Sequence, residues 1–329
     1  MNIVSKRRFL LYLGKALVVL LTLHFLYQTV FTAPDTFLTW RLILQHALQS
    51  PLRFLVVLTA LLIPVNWGFE ARKWQLLGRK IEPLSFWRAY RAVMVGLTLG
   101  FITPNRLGDY AGRLLELRSR QRLDAIGAIF IGRFCQLVAT VVIGTFGLLY
   151  FLSRFYWHDY PGVCLSLTFL LLLLNIAILL LMYNARALVA LVAAVGPLRK
   201  LVRYVAVMRS YSSAEITRLL WLSLWRYLVF LFQFVLLLKL FRVELSAVEY
   251  LSGVSGAFFL KSVVPSVTIL SDLGVRELSS MYLFGLLGQE RLQVLSASLS
   301  LWLLNIAVPS ALGIIFVLRL RFFRKGGEA

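Results

Sequence analysis

Two short clusters of acids and bases stand out because apolar sequence surrounds them. The first is Asp109 and Arg113, which follow Pro104-Asn105-Arg106-Leu107-Gly108. The second is Asp272, Arg276 and Glu277, which follow Gly253, Gly256, Lys261 and Pro265. Ionisable side chains in apolar surroundings are costly, so each is a functional candidate by default. Arginine suits a phosphate, because its planar fork donates hydrogen bonds in pairs. A neighbouring carboxylate either holds that arginine in place or binds an amine on a substrate. An internal salt bridge that only locks helices together fits the same residues. Glu70 in Asn66-Trp67-Gly68-Phe69-Glu70-Ala71-Arg72-Lys73-Trp74 is a further candidate, and Arg72 or Lys73 would be its structural partner. Arg133, Arg226 and Lys261 lie too deep in apolar runs to reach the surface easily, whereas Lys15 and Lys239 can snorkel. Trp67, Trp74 and Trp87 read as an interfacial aromatic belt.

These residues sit at breaks. Glycine and proline permit a helix to stop inside an apolar stretch. The backbone groups freed there cannot be satisfied by lipid, so a break lines protein or water. Helix ends exposed at a break carry partial charge and attract ions or headgroups. The elements around the breaks are apolar runs of spanning length, about 20 residues each. Six qualify: 9–31, 52–69, 125–152, 162–183, 217–241 and 292–318. Two more stretches, 86–104 and 247–288, are interrupted by glycine and proline. The fold class is therefore all-α: a polytopic membrane helix bundle of six full spans plus two broken or re-entrant segments, six to eight spans in all.

Charge orients the bundle. Most of the 35 lysines and arginines fall in 1–8, 70–91, 106–122, 186–218 and 319–325, whereas 32–50, 153–161 and 242–246 are poor in them. The positive-inside rule then puts both termini in the cytoplasm. Halves 1–152 and 161–329 each read helix, helix, broken segment, helix, and they run in opposite directions. That is the pattern of an inverted repeat, common in transporters. The chain reads as a single integral membrane domain.

Composition supports this and removes other classes. Hydrophobic residues make up 60% and charged residues 15% of the 329 residues, against about half and a quarter in soluble domains. Mean hydropathy is +0.82. The net charge of +21 follows the loops and does not indicate nucleic acid. Cys135 and Cys164 stand apart, as do His24, His46 and His158, so neither a disulfide framework nor a metal site is expected. No cofactor is expected. The apolar run after Lys6-Arg7-Arg8 is too long for a signal peptide and reads as a retained first helix.

The segments Glu70-Ala71-Arg72-Lys73-Trp74, Thr103-Pro104-Asn105-Arg106-Leu107-Gly108-Asp109-Tyr110-Ala111-Gly112-Arg113 and Gly274-Val275-Arg276-Glu277 resemble the flippase-like transmembrane family named for the membrane part of lysylphosphatidylglycerol synthase. The resemblance runs from about residue 9 to 318. It implies a polytopic bacterial inner-membrane protein that handles lipid. In the best-known members this region moves an aminoacylated phospholipid that a separate soluble domain makes. No such domain is expected here, and so no synthase chemistry. Many members carry a Pro-Gly-Gly-like stretch where this chain has Pro265-Ser266-Val267-Thr268.

The expected function is thus translocation of a phospholipid or lipid-linked headgroup, with membrane lipids and anionic headgroups as partners and no catalytic residue. Glu70, Asn105, Arg106, Asp109, Arg113, Arg133, Lys261, Asp272, Arg276 and Glu277 are the cavity residues, with Arg113 and Arg276 on the phosphate. A scaffold or regulator and a soluble-substrate transporter are the alternatives. A polyprenyl-linked glycosyltransferase would need paired carboxylates on an outer loop, and Asp35, Asp159 and Glu244 are far apart in sequence.

Overall fold

A computed structural model of the chain describes residues 52–103, 106–119, 124–264 and 274–319, with single positions at 16, 20, 42 and 45. The expected span 9–31 falls almost wholly outside the described residues, as do Asn105 and Asp272. Every regular element among the described residues is helical. Five stretches are long and apolar enough to cross a membrane: Arg53–Gly78, Ala125–Tyr156, Pro161–Tyr183, Ser213–Leu240 and Arg291–Arg319. They coincide with five of the six apolar runs.

Helix α1 is Arg53–Gly78, and α2 (Phe86–Phe101) and α3 (Leu107–Glu116) form a hairpin after it. Helix α4 is Ala125–Phe151, continued by a π-helical turn to Tyr156, and α5 is Pro161–Tyr183. Short helices α6 (Ala185–Ala194) and α7 (Val202–Ala206) lead to α8 (Ser213–Leu240). A second hairpin follows, α9 (Ala247–Val263) and α10 (Val275–Leu286). The last span is α11 (Arg291–Trp302), a π-helical turn at Leu303–Ala307, and α12 (Val308–Arg319). The second interrupted stretch, 247–288, is therefore a helical hairpin, whereas the first, 86–104, supplies only α2, and its return arm α3 lies in the segment 106–122 that the charge pattern alone reads as a basic loop.

Local chemistry sets the helix starts. The Ser85 hydroxyl accepts from the Arg88 amide at the head of α2. Ser212 with Glu215, and Ser246 with Glu249, form reciprocal caps at α8 and α9, which satisfy amides that the first helical turn leaves unpaired. Pro161 opens α5, where its missing N–H costs nothing. Leu165, Phe169, Leu172 and Ile176 of α5 are all exposed, as expected of a helix that faces hydrocarbon rather than water.

Packing partners repeat between the halves. Helix α1 packs on α8. The last span of the first half, α4, packs on the second hairpin's α9, and the last span of the second half, through α12, packs on the first hairpin's α2. Small residues allow both crossings. A methyl on Gly144 of α4 would sit 2.5 Å from Phe259 Cβ, and one on Gly313 of α12 would sit 2.8 Å from the Met94 carbonyl oxygen. Membrane helices associate through such close approach, since lipid removes the hydrophobic drive between them.

Candidate functional site

Helix α1 carries Asn66, Trp67, Glu70, Lys73 and Trp74 at spacings of three and four, so all five share one face. All five are buried. Glu70 is the hub. Its Oε2 lies 2.9 Å from Lys73 Nζ, and its Oε1 accepts from Arg113 Nη2 at 2.8 Å. Arg113 donates its Nε to Asp109 Oδ1 at 3.0 Å, one turn back on α3. Asp109 Oδ2 takes Arg133 Nη2 from α4 at 2.6 Å. Arg226 of α8 approaches Glu70 Oε2 at 3.5 Å. Gln136 Oε1 accepts from Arg226 at 3.2 Å and from Lys73 at 3.4 Å. Four helices thus meet in one chain of charge.

Each of the three network arginines lies over an aromatic ring. Arg113 sits 5.6 Å from the Trp74 ring, Arg133 4.9 Å from Tyr110 and Arg226 5.3 Å from Trp67. Stacking and hydrogen bonds together fix a guanidinium plane. Trp67 and Trp74 are therefore core residues, at 4% and 0% exposure, and only Trp87 is exposed, at 75%. Trp67 and Trp74 thus do not form the expected interfacial belt. Lys73, read from sequence as a loop charge, is 2% exposed.

The network borders a cavity of about 370 Å³. Arg106, Asp109 and Arg113 from the first hairpin line it, and so do Phe258, Lys261, Ser262 and Arg276 from the second. Of the expected site residues, Glu70, Arg106, Asp109, Arg113, Arg133, Lys261 and Arg276 all line it. Glu277 lies behind Arg276. It accepts from the Arg276 guanidinium and, through Oε2, from the Gly274 amide at 2.8 Å. Arg276 also donates to Ser298, to its hydroxyl through Nε and to its carbonyl through Nη2, both at 3.0 Å. Its Nε and Nη2 are thus both engaged within the protein. Arg226, one of the deep charges singled out in the sequence, also lines it, and so do Lys73, Gln136, Tyr227 and Asn305, which were not among the expected site residues. The α1 spacing was the available signal for Lys73, whereas polar residues set singly in apolar helices left none for Gln136 and Asn305.

Asn305 belongs to the π-helical turn, and a proline explains its role. Pro309 has no N–H to give the carbonyl four residues earlier, which is that of Asn305. That carbonyl instead accepts Trp67 Nε1 at 3.1 Å, while the Asn305 Oδ1 takes Asn66 Nδ2 at 2.9 Å. Irregular turns of this kind concentrate at functional sites.

Outside the bundle, a separate polar clasp closes the open end of the first hairpin. Glu82 binds Arg88 at 2.6 Å and the backbone amides of Arg118 and Ser119 at 2.6 and 2.7 Å. Partial burial alone would raise the Glu82 carboxyl, but the Ser119 amide, Arg88 and the Arg118 amide together hold it below the ordinary carboxylate value. Arg91 adds a 2.7 Å bond to Glu116. Among the described residues, no group of three His, Cys, Asp or Glu side chains is placed to share a metal ion.

Comparison with known proteins places the chain. No curated protein and no solved structure matches it. The sequence model of the lysylphosphatidylglycerol synthase TM region matches residues 10–313. That span takes in α1 to α11, the start of α12 and every described residue of the cavity wall. This multi-pass membrane protein therefore belongs to the lysylphosphatidylglycerol synthase TM-region family, whose membership links it to lipid metabolism.

Proposed function

We propose that the protein moves a phospholipid, or another lipid with a charged headgroup, across the cytoplasmic membrane of a bacterium, and that it makes and breaks no covalent bond. One observation carries the reading: both interrupted hairpins bring charged side chains to the same cavity, inside a bundle that is otherwise apolar. A cavity where two half-structures meet is where transporters of repeat architecture bind their cargo. The repeated packing of α4 on α9 and of α12 on α2 supports two halves of opposite direction, with both termini in the cytoplasm as the basic loops indicate.

The test is headgroup accessibility in liposomes. The purified chain is reconstituted with trace labelled phospholipids, and a membrane-impermeant quencher reports which label it can reach. Protein-dependent loss of protected label is expected. It should fall at least tenfold in Arg133→Ala, whose half-exposed side chain leaves the fold intact. If a correctly folded protein moves no lipid of any headgroup, the translocase reading is wrong.

A further inference from the structure

The chain between α5 and α8 has two apolar faces, and the bundle covers one of them. Leu188, Val189, Val205, Met208 and Tyr211 are buried and share a core cluster with Trp67 and Trp74 of α1. Backbone contact fixes this face. A methyl on Gly127, near the head of α4, would lie 2.3 Å from the Tyr204 carbonyl oxygen. The Tyr211 hydroxyl donates to the Leu77 carbonyl at 2.8 Å. The segment is thus a ledge held against the bundle. A second apolar set, Leu191, Val195, Leu198 and Leu201, is 41–50% exposed.

Arg186, Arg199, Lys200, Arg203 and Arg209 are exposed as well. They are the only charged side chains between 184 and 214, and the first acid beyond them, Glu215, is bound to Lys80 at 2.9 Å. Exposed apolar side chains rimmed by cations mark a surface that meets lipid. The neighbouring span fixes where that surface sits. Helix α5, long and apolar enough to cross a membrane, ends at Tyr183. Helix α6 starts at Ala185, where Asn184 Oδ1 accepts from the Ala187 amide at 3.0 Å. Two residues of chain reach about 7 Å at most, so the ledge begins where the span leaves the hydrocarbon. Arginine and lysine stems can lie along apolar surface there while their heads reach the phosphates.

We infer that residues 185–210 dock on the cytoplasmic surface of the membrane and bind its anionic phospholipids. Leu191, Val195, Leu198 and Leu201 enter between the upper acyl chains, and Arg199, Lys200, Arg203 and Arg209 meet the phosphates. No residue of this ledge lines the cavity, so the inference stands apart from the translocase reading. An anionic leaflet attracts each such cation, and burial of the leucines adds the apolar part. A zwitterionic leaflet offers the leucines the same burial and the cations less.

The experiment reads depth and lipid preference with the full chain in nanodiscs of phosphatidylcholine mixed with phosphatidylglycerol. A nitroxide is placed at Val195→Cys or at Leu198→Cys, and the native Cys135 and Cys164 are buried away from the label. Collision with oxygen, which concentrates in hydrocarbon, is compared with collision with a water-soluble nickel chelate. Oxygen should exceed the chelate by about threefold or more at both positions. Spin-labelled phosphatidylglycerol should associate with the chain more strongly than spin-labelled phosphatidylcholine. Combining Arg199→Gln, Lys200→Gln, Arg203→Gln and Arg209→Gln should remove about half of that preference or more, with the melting temperature held because all four positions are exposed. Free access of the chelate to both labels overturns the docking. Protection of both labels from oxygen and chelate alike overturns it in favour of a covering protein surface. A phosphatidylglycerol preference unchanged in the fourfold variant overturns the anionic assignment.

Discussion

The two hairpins share an element order but are held together by different means. In α2–α3 the backbones touch. A methyl on Gly112 would lie 2.4 Å from the Gly96 nitrogen, and one on Gly108 would lie 2.1 Å from the Leu99 carbonyl oxygen. In α9–α10 a ring fills the gap: a methyl on Gly253 would meet Phe284 Cζ at 2.6 Å, and a side chain can move where backbone cannot. The charged groups differ as well. Three cations crowd Glu70 beside the first hairpin, whereas Glu277 in the second faces one arginine, which Ser298 also holds. The open end of the first is clasped by Glu82 and Glu116, while at the second Gln289 reaches the Glu244 carbonyl only at 3.5 Å. The first hairpin is therefore built as a wall fixed by backbone contact, and the second as a wall resting on adjustable side chains.

Removing the shared carboxylate should separate the two most strongly. Glu70→Gln takes a carboxylate from Lys73, Arg113 and Arg226, of which Arg113 keeps Asp109. It should cost about 4 kcal/mol, in the range for breaking a buried ion pair, against about 2 kcal/mol for Glu277→Gln, where Ser298 still accepts from Arg276. Thermal unfolding in detergent reads both. Equal losses would remove the contrast in charge.

The glycines come next. Gly112→Ala forces backbone apart and should cost about 3 kcal/mol, whereas Gly253→Ala asks one ring to shift and should cost about 1 kcal/mol. If the ranking reverses in the same unfolding assay, the first hairpin is not the rigid one. A smaller loss, about 1–2 kcal/mol, is expected for Trp67→Phe, which keeps the ring but leaves the Asn305 carbonyl unpaired.

The smallest effect belongs to the clasp. The Glu82 carboxyl is depressed in the folded protein, so its contribution is present above the unfolded carboxylate value of about 4.3 and is lost as pH falls through the folded value. Glu82→Gln should lower stability by under about 1 kcal/mol at pH 7, because the site is partly solvated. The gap between wild type and variant should close below about pH 4. A gap that widens in acid would assign the clasp to another group.

Much of this was legible in the sequence. The five long helices came from runs of about 20 apolar residues, and the glycines and prolines marked both breaks, but α3 was hidden because its arginines read as a basic loop. Glu70, Asp109, Arg113 and Arg133 were marked by charge in apolar surroundings, and they do meet. Partner choice was not legible. Glu70 could have faced outward to Arg72, and only the packing of the first hairpin, through α2, on α1 brings Arg113 to it. The tryptophans misled for the same reason, since an indole at a helix end suits a membrane interface and an arginine stack equally well. Asn305 was hidden because a single asparagine in an apolar span has no periodic companion, although Pro309 four residues on was the clue.

That proline bears on how the protein is made. The last span lacks the ladder bond that Pro309 cannot give, and hydrocarbon offers no other donor to the Asn305 carbonyl. Its donor, Trp67, stands on α1, which leaves the ribosome more than two hundred residues earlier. Synthesis in chain order therefore has the receiving indole waiting in the bilayer when the final helix arrives. Docking gives the Asn305 carbonyl its indole donor, so the closing step of membrane insertion is also the step that completes the cavity wall.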